Sequence, residues 1–154
     1  MSKLDKAIEQ VLFENSIPNQ WSSEINNELD QLKSETNSSR ADLTDKPFIT
    51  IDGKDAKDFD DAVFCENKDS NIILWVAIAD VAEIVTEGSK IDLEAFKRGT
   101  SIYFPKNVVP MLPEKISNNL CSLVPNEKRN VLVCKIKFHK DGEINSYEFI
   151  EGFI

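Results

Sequence analysis

Apolar positions along the chain change their period near Arg40. Before it they recur at helical spacing. Leu4, Ala7, Ile8, Val11 and Leu12 follow Ser2 and Asp5, a serine with an acidic residue three positions on, which is the form of a capping box. The spacing predicts a short amphipathic helix ending near Asn15, and Pro18 interrupts it. Ser22 or Ser23 caps a second helix whose Ile25, Leu29 and Leu32 make a thin stripe. "KSETNSS", Lys33 to Ser39, is polar and loop-forming, so residues 1–39 read as a helical lead-in.

After Arg40 the pattern is that of strands. "FITI" (Phe48–Ile51) and "AVFCE" (Ala62–Glu66) are short β-type runs, and "NKDSN" (Asn67–Asn71) has turn chemistry. "IILWVAIADVAEIV" is too continuously apolar for a half-exposed strand, which predicts a central strand from Ile72 to about Ala79. Ser89 or Asp92 caps a helix that ends at Gly99, with Ile91, Ala95 and Phe96 expected inside. "TSIYF" (Thr100–Phe104) is strand-like again. The prolines at 105, 110, 113 and 125 then predict irregular chain, with one short helix starting at Pro113. Asn130–His139 alternates in its second half, and Asp141-Gly142 signals a hairpin. The class is α+β: a mixed β-sheet with flanking helices, preceded by two short helices. The stop at Ile154, directly after a strand-like stretch, predicts that residues 40–154 are the N-terminal part of a larger domain.

Composition narrows the function. With 154 residues the chain is long enough to bury a core, and no apolar run approaches the roughly 20 residues of a membrane span. The N-terminus lacks the apolar core of a signal peptide. Cys65, Cys121 and Cys134 are odd in number and form no C-x-x-C pair, which argues against structural zinc and for a reducing cytoplasm. A net charge of −9 argues against holding nucleic acid by counterion release alone. An acidic chain can still act on phosphates through a metal ion.

The place for such an ion is "ITIDGKDAKDFDDAV", which puts five aspartates between Asp52 and Asp61. A generic acidic loop is usually a solvated one. Here, however, Phe59 sits inside the cluster and Ala62-Val63-Phe64 follows it. If the segment is extended, Asp58 and Asp60 share one face and Asp61 turns away. Carboxylates about 4 Å apart repel by about 4 kcal/mol at an effective dielectric near 20, so a cation or a shared proton must compensate. Carboxylate oxygens at this spacing suit magnesium or manganese. A calcium EF-hand starting at Asp58 fails, because Ala62 and Val63 stand at its fifth and sixth positions. On spacing, a two-metal nuclease and a nucleotidyltransferase both remain open.

"TIDGKDAKDFDDAV", "LWVAIADV", "RGTSIYFP" and "VVPMLPEKISNNLCSLVPNEKR", in that order, resemble the opening of the RNB catalytic module of the ribonuclease II and ribonuclease R exoribonucleases. "AIEQVLFENSIPNQW" is similar to the connector that precedes the module in bacterial members. The resemblance implies a processive hydrolytic exonuclease that degrades single-stranded RNA from the 3′ end to nucleoside 5′-monophosphates. The implied cofactor is magnesium, with manganese as the alternate ion, and neither DNA nor a membrane is an expected partner. The family's four motif aspartates fall on Asp52, Asp58, Asp60 and Asp61, which implies metal and catalytic roles for them, Asp60 foremost. Asp55 is not among the four. Tyr103 matches a tyrosine that stacks on a base near the 3′ end; the plainer expectation is a half-buried strand tyrosine with its hydroxyl bonded to backbone.

Other residues carry plainer expectations. Trp75 is expected in the core, His139 at the surface, and Cys121 and Cys134 as buried thiols. Arg129 is expected either to touch phosphate or the aspartates, or to pair internally. Glu83 stands where the family often has histidine. The resemblance also implies that the downstream part of the module and separate RNA-binding domains are absent here. Two functions of different class follow: part of an active exoribonuclease, or a short metal- or partner-binding remnant without nuclease activity.

Overall fold

The computed structural model describes residues 2–36, 38–68, 70–105 and 107–154. Asn37, within the expected linker Lys33–Ser39, and Asp69, within the expected turn Asn67–Asn71, lie outside the described residues. The chain divides into two compact units, Met1–Leu32 with Val85–Glu114, and Lys33–Ile84 with Lys115–Ile154.

The first unit is mainly helical. Helix α1 (Lys3–Glu14) opens on the expected capping box: Ser2 Oγ accepts the Asp5 N–H at 3.1 Å, and Asp5 Oδ2 accepts the Ser2 N–H at 2.7 Å. Its Ile8 and Leu12 form a small core with Val109, backed by Ile17, Ile102 and Phe104. Helix α2 (Ser23–Gln31) is capped by Ser22 and buries Ile25. Helix α3 (Lys90–Arg98) runs from the Ser89 cap to Gly99, whose φ of 73° ends it in the left-handed region. α3 buries Ile91, but Phe96 is 88% exposed, contrary to expectation. At helical pitch, Arg98 falls on the Ile91 side of the helix and Phe96 nearly opposite. Arg98 holds that inner position by stacking 3.6 Å from the Trp21 ring centroid and donating to Glu94 and to the Pro110 and Gln20 carbonyls. Strands β4 (Ile102–Phe104) and β5 (Asn107–Val109) pair antiparallel.

The second unit is a five-stranded sheet in the order β1-β7-β6-β3-β2. Its strands are β1 (Ala41–Asp42), β2 (Asp61–Lys68), β3 (Asn71–Ala79), β6 (Asn130–Phe138) and β7 (Ile144–Phe153). Only the short β1–β7 pairing is parallel. The continuously apolar β3 has a neighbour on each side, as its pattern predicted. The hairpin from β6 to β7 turns at Gly142, φ 91°, where the Gly142 N–H donates to the His139 carbonyl. Gly152 is required by close approach: a Cβ there would stand 2.8 Å from Leu43 Cδ1 and 3.1 Å from the Ala41 carbonyl.

Residues opposite one another in the ladders share a face. One face carries the buried Ala62, Ile73, Trp75, Ala77, Ala79, Val131 and Val133. The other presents Ile72, Ile78, Leu132, Tyr147 and Phe149, all exposed.

One expected element is absent and another takes a different helical form. "FITI" makes no strand: Ile49 forms one isolated antiparallel bridge with Val63, and Ile51 is exposed. Pro47 lacks an N–H, and Asp52-Gly53 follows at once, so there is room for one residue pair. The short helix expected from Pro113 is present over residues 114–120, but its Ile116–Leu120 part is π-helical, closed by the Cys121 N–H donating to the Ile116 carbonyl at 2.9 Å. Among the described residues, no helix is long and apolar enough to cross a membrane.

Candidate active site

The aspartate segment leaves the Ile49–Val63 bridge and re-enters the sheet at Asp61, the first residue of β2. Its second half is fixed almost residue by residue. The Ser122 hydroxyl accepts the Phe59 N–H at 3.0 Å and donates to the Lys57 carbonyl at 2.7 Å. The Leu123 N–H donates to the Phe59 carbonyl at 3.0 Å, and the Ala79 N–H to the Asp60 carbonyl at 2.9 Å. Asp61 lies opposite Ile78 in the ladder. Asp58 and Asp60 therefore project from a backbone held by hydrogen bonds on each side.

Ser122 is held in turn. Arg129 Nε donates to the Ser122 carbonyl at 3.1 Å and to the Asn119 carbonyl at 3.2 Å, and its Nη1 donates to the Lys128 carbonyl. Of the two uses open to Arg129, the structure shows the internal one. The reason is burial: at 7% exposed, its guanidinium must satisfy its donors within the fold.

The electrostatics centre on Asp60. Partial desolvation pushes its carboxyl above the ordinary carboxylate range, and repulsion from Asp58, Asp61 and Asp52 pushes it further. Asp58 is half-buried, while Asp52, Asp55, Asp60 and Asp61 retain solvent access. The donor chemistry fits a hard divalent cation, since all four groups are carboxylates and their mutual repulsion asks for positive charge. The ligand geometry is not preassembled: among the described residues, no three histidine, cysteine, aspartate or glutamate side chains converge on one point. A groove of about 610 Å³ beside Phe48, Leu123 and Lys128 is not lined by any of the four motif aspartates.

The remaining candidates fall in varied places. Tyr103 is 69% exposed on β4, so it is not the half-buried strand tyrosine of the plainer expectation. Trp75 is buried; its indole N–H donates to Glu66, and Lys46 and Lys135 lie over its ring at 4.9 and 4.8 Å. Cys121 is buried and its thiol is pushed up to about 11, chiefly by desolvation, which leaves it protonated and unreactive at neutral pH. Cys134 is half-buried, and His139 is exposed. Glu83 accepts from Arg40 Nη2 at 2.6 Å, and so does Asp80, while Arg40 Nη1 reaches the Val131 carbonyl. Burial alone would lower the Arg40 pKa, but hydrogen bonds to Glu83 and Asp80 outweigh it and leave it raised. This ion pair secures the turn that follows β3, the strand whose Ala79 anchors Asp60.

Ser122 and Arg40 were not singled out as site residues from the sequence. The signal for Ser122 is a hydroxyl inside the apolar run "LCSLV", where a buried polar atom needs partners.

Comparison with known proteins gives the wider context. The family model described as "RNB domain" matches residues 40–154. Ribonuclease R of Buchnera aphidicola subsp. Acyrthosiphon pisum is 48% identical over 155 residues, covering 96% of this chain and 21% of that relative. The solved structure of Mycoplasma genitalium RNase R in complex with double-stranded RNA superposes with a TM-score of 0.92 at 39% identity, covering 96% of this chain and 27% of that one. The same enzyme in complex with ribose methylated single-stranded RNA gives a TM-score of 0.91 at 39% identity, with coverage of 96% and 24%. The chain thus spans about a fifth of that curated relative's length. With the family model matched over most of its residues and its fold shared with those solved structures, the chain belongs to the RNB domain family.

Proposed function

We propose that this chain is the aspartate-bearing part of a magnesium-dependent exoribonuclease that acts in the cytoplasm. It hydrolyses single-stranded RNA processively from the 3′ end and releases nucleoside 5′-monophosphates. Asp52, Asp58, Asp60 and Asp61 hold the metal, and Asp60 is the carboxylate most closely tied to the reaction. The observation that carries this reading is the loop itself: three carboxylates, Asp58, Asp61 and Asp52, close enough to repel charge on Asp60, on a backbone clamped at residues 57–60. A ribonuclease family suggests a divalent metal in general, and these carboxylates are the matching donors. A bound divalent ion would neutralise that repulsion, polarise the phosphate and lower the pKa of the attacking water.

The ring of Tyr103 offers an exposed face on which a base can stack, a contact that tolerates any sequence. RNA in the Mycoplasma genitalium RNase R structures supports RNA as the substrate class. The acidity of this chain agrees with a division of labour in which basic RNA-holding surface lies elsewhere in a longer protein.

The test is to exchange residues 40–154 into the Buchnera ribonuclease R relative and follow a 5′-labelled single-stranded RNA with magnesium. Stepwise shortening from the 3′ end, absent with Asp60→Asn and absent with chelator, is the expected outcome. A folded exchange enzyme that cuts equally well with Asp60→Asn would overturn the reading. The 154-residue chain alone is expected to leave the RNA almost intact.

A further inference from the structure

We infer that Ser122 is a positioning residue for the metal-holding aspartates, the clasp that sets how Asp58 and Asp60 are presented. This rests on the proposed metal role of those aspartates and adds a residue to which neither spacing nor family assigns a part. The clasp spans 63 positions of sequence, so it is a product of the fold. A serine hydroxyl has one proton to give and lone pairs to accept with, and here both functions are spent on one loop. It takes the Phe59 N–H and gives its proton to the Lys57 carbonyl, the residues on either side of Asp58. Ser122 is 1% exposed, so water cannot substitute for those bonds without opening the structure. The adjacent Leu123 N–H adds the Phe59 carbonyl, so three bonds from two consecutive residues fix the peptide planes around Asp58 and lead into Asp60.

The clasp is braced from behind. Arg129 draws the Ser122 and Asn119 carbonyls together through its Nε, and its own backbone pairs in both directions with Ile154 at 3.0 and 3.1 Å. The aspartate loop is therefore tied through Ser122 and Arg129 to the end of β7. No three acidic groups converge among the described residues, so an arriving cation must gather its ligands. A backbone already fixed at residues 57–60 reduces the freedom lost in that gathering. A hydroxyl at position 122 then governs affinity for the ion as well as stability.

The experiment uses manganese, whose free ion is read directly by electron paramagnetic resonance, with the full chain as wild type, Ser122→Ala, Ser122→Thr, Asp60→Asn and Val133→Ala. Amide hydrogen exchange at Phe59 reads the clasp itself without any metal. Ser122→Ala is expected to weaken manganese binding about tenfold, a loss of about 1.4 kcal/mol. It is also expected to speed exchange at Phe59, with Ser122→Thr recovering much of both. Val133→Ala, a core truncation on β6 that removes none of the clasp's hydrogen bonds, is expected to lower the melting temperature while binding manganese within about twofold of wild type. Unchanged manganese affinity in folded Ser122→Ala with faster Phe59 exchange overturns the positioning role and leaves the metal role of the aspartates standing. Equal binding by Asp60→Asn and wild type, or none by wild type, overturns the metal reading and this inference with it. If Ser122→Ala does not fold, Ser122→Thr decides: wild-type exchange at Phe59 with tenfold weaker binding would refute a role through the hydroxyl.

Discussion

The two halves of the aspartate segment differ in how the chain holds them. From Ile51 to Asp55 the residues are exposed, and the Ala56 N–H donates to the Gly53 carbonyl in a local turn. From Lys57 to Asp61 the carbonyls of Lys57, Phe59 and Asp60 and the amide of Phe59 are taken by Ser122, Leu123 and Ala79. Asp52 belongs to the first half, and Asp58, Asp60 and Asp61 to the second. The four proposed ligands thus draw on an exposed surface turn and on a hydrogen-bonded edge of the sheet. The lesson is that carboxylates which repel one another can be held near each other when the cost is borne by the backbone, outside the charged groups themselves.

That contrast can be broken in graded steps. The largest effect is expected at Asp60: in the exchange enzyme, Asp60→Asn should lower the rate of RNA shortening by about a thousandfold, several kcal/mol of lost metal-assisted stabilisation. Asp55→Asn in the first half should cost little, and comparable losses in single-turnover assays would erase the distinction between the motif aspartates and their neighbours. Next comes stability. Ser122→Ala orphans the Phe59 amide and the Lys57 carbonyl and should cost about 2–4 kcal/mol in urea unfolding. Asp52→Asn should stay within about 0.5 kcal/mol of wild type.

A smaller effect concerns pH in the absence of divalent ions. The Asp60 carboxyl is raised by desolvation and by Asp58, Asp61 and Asp52. The folded chain therefore keeps that proton at pH values where the unfolded chain has lost it, and folding loses stability as pH rises from about 3.8 through the raised value. Asp60→Asn does not titrate, so with chelator present it should gain stability relative to wild type over that rise and hold the gain above it. A constant difference in melting temperature across the range would show that Asp60 does not carry the repulsion. The smallest effect tests the loose half. Gly53 has open space around its Cβ position and no left-handed φ, so Gly53→Ala should stabilise by about 0.5 kcal/mol through the unfolded chain and leave manganese binding unchanged. Thermal unfolding with and without manganese checks both.

Local chemistry was legible wherever it acts over a few residues. The Ser2 capping box, the Ser89 and Gly99 ends of α3, the Asp141-Gly142 hairpin and the central place of β3 all stand as their residues predict, although β3 exposes Ile72 and Ile78 on one face. Phe96 was misplaced because hydrophobicity alone assigned the inner face, whereas Arg98 secured it through Trp21 and two carbonyls far away in sequence. "FITI" was overread because β-type residues do not supply a partner strand. At the site, the residue types and their crowding were legible, since both are local. The Ser122 clasp and the Arg40 pair with Asp80 and Glu83 were not, because each joins segments that only the fold brings together.

The sheet face that presents Ile72, Ile78, Leu132, Tyr147 and Phe149 gives the molecule the character of a charged colloid. At low ionic strength the net charge of −9 keeps copies apart. At about 1 M salt the Debye length contracts to about 3 Å, and that apolar face becomes the adhesive part of the surface. Dilute buffers should keep the chain dispersed, and salting should drive it together well before it unfolds.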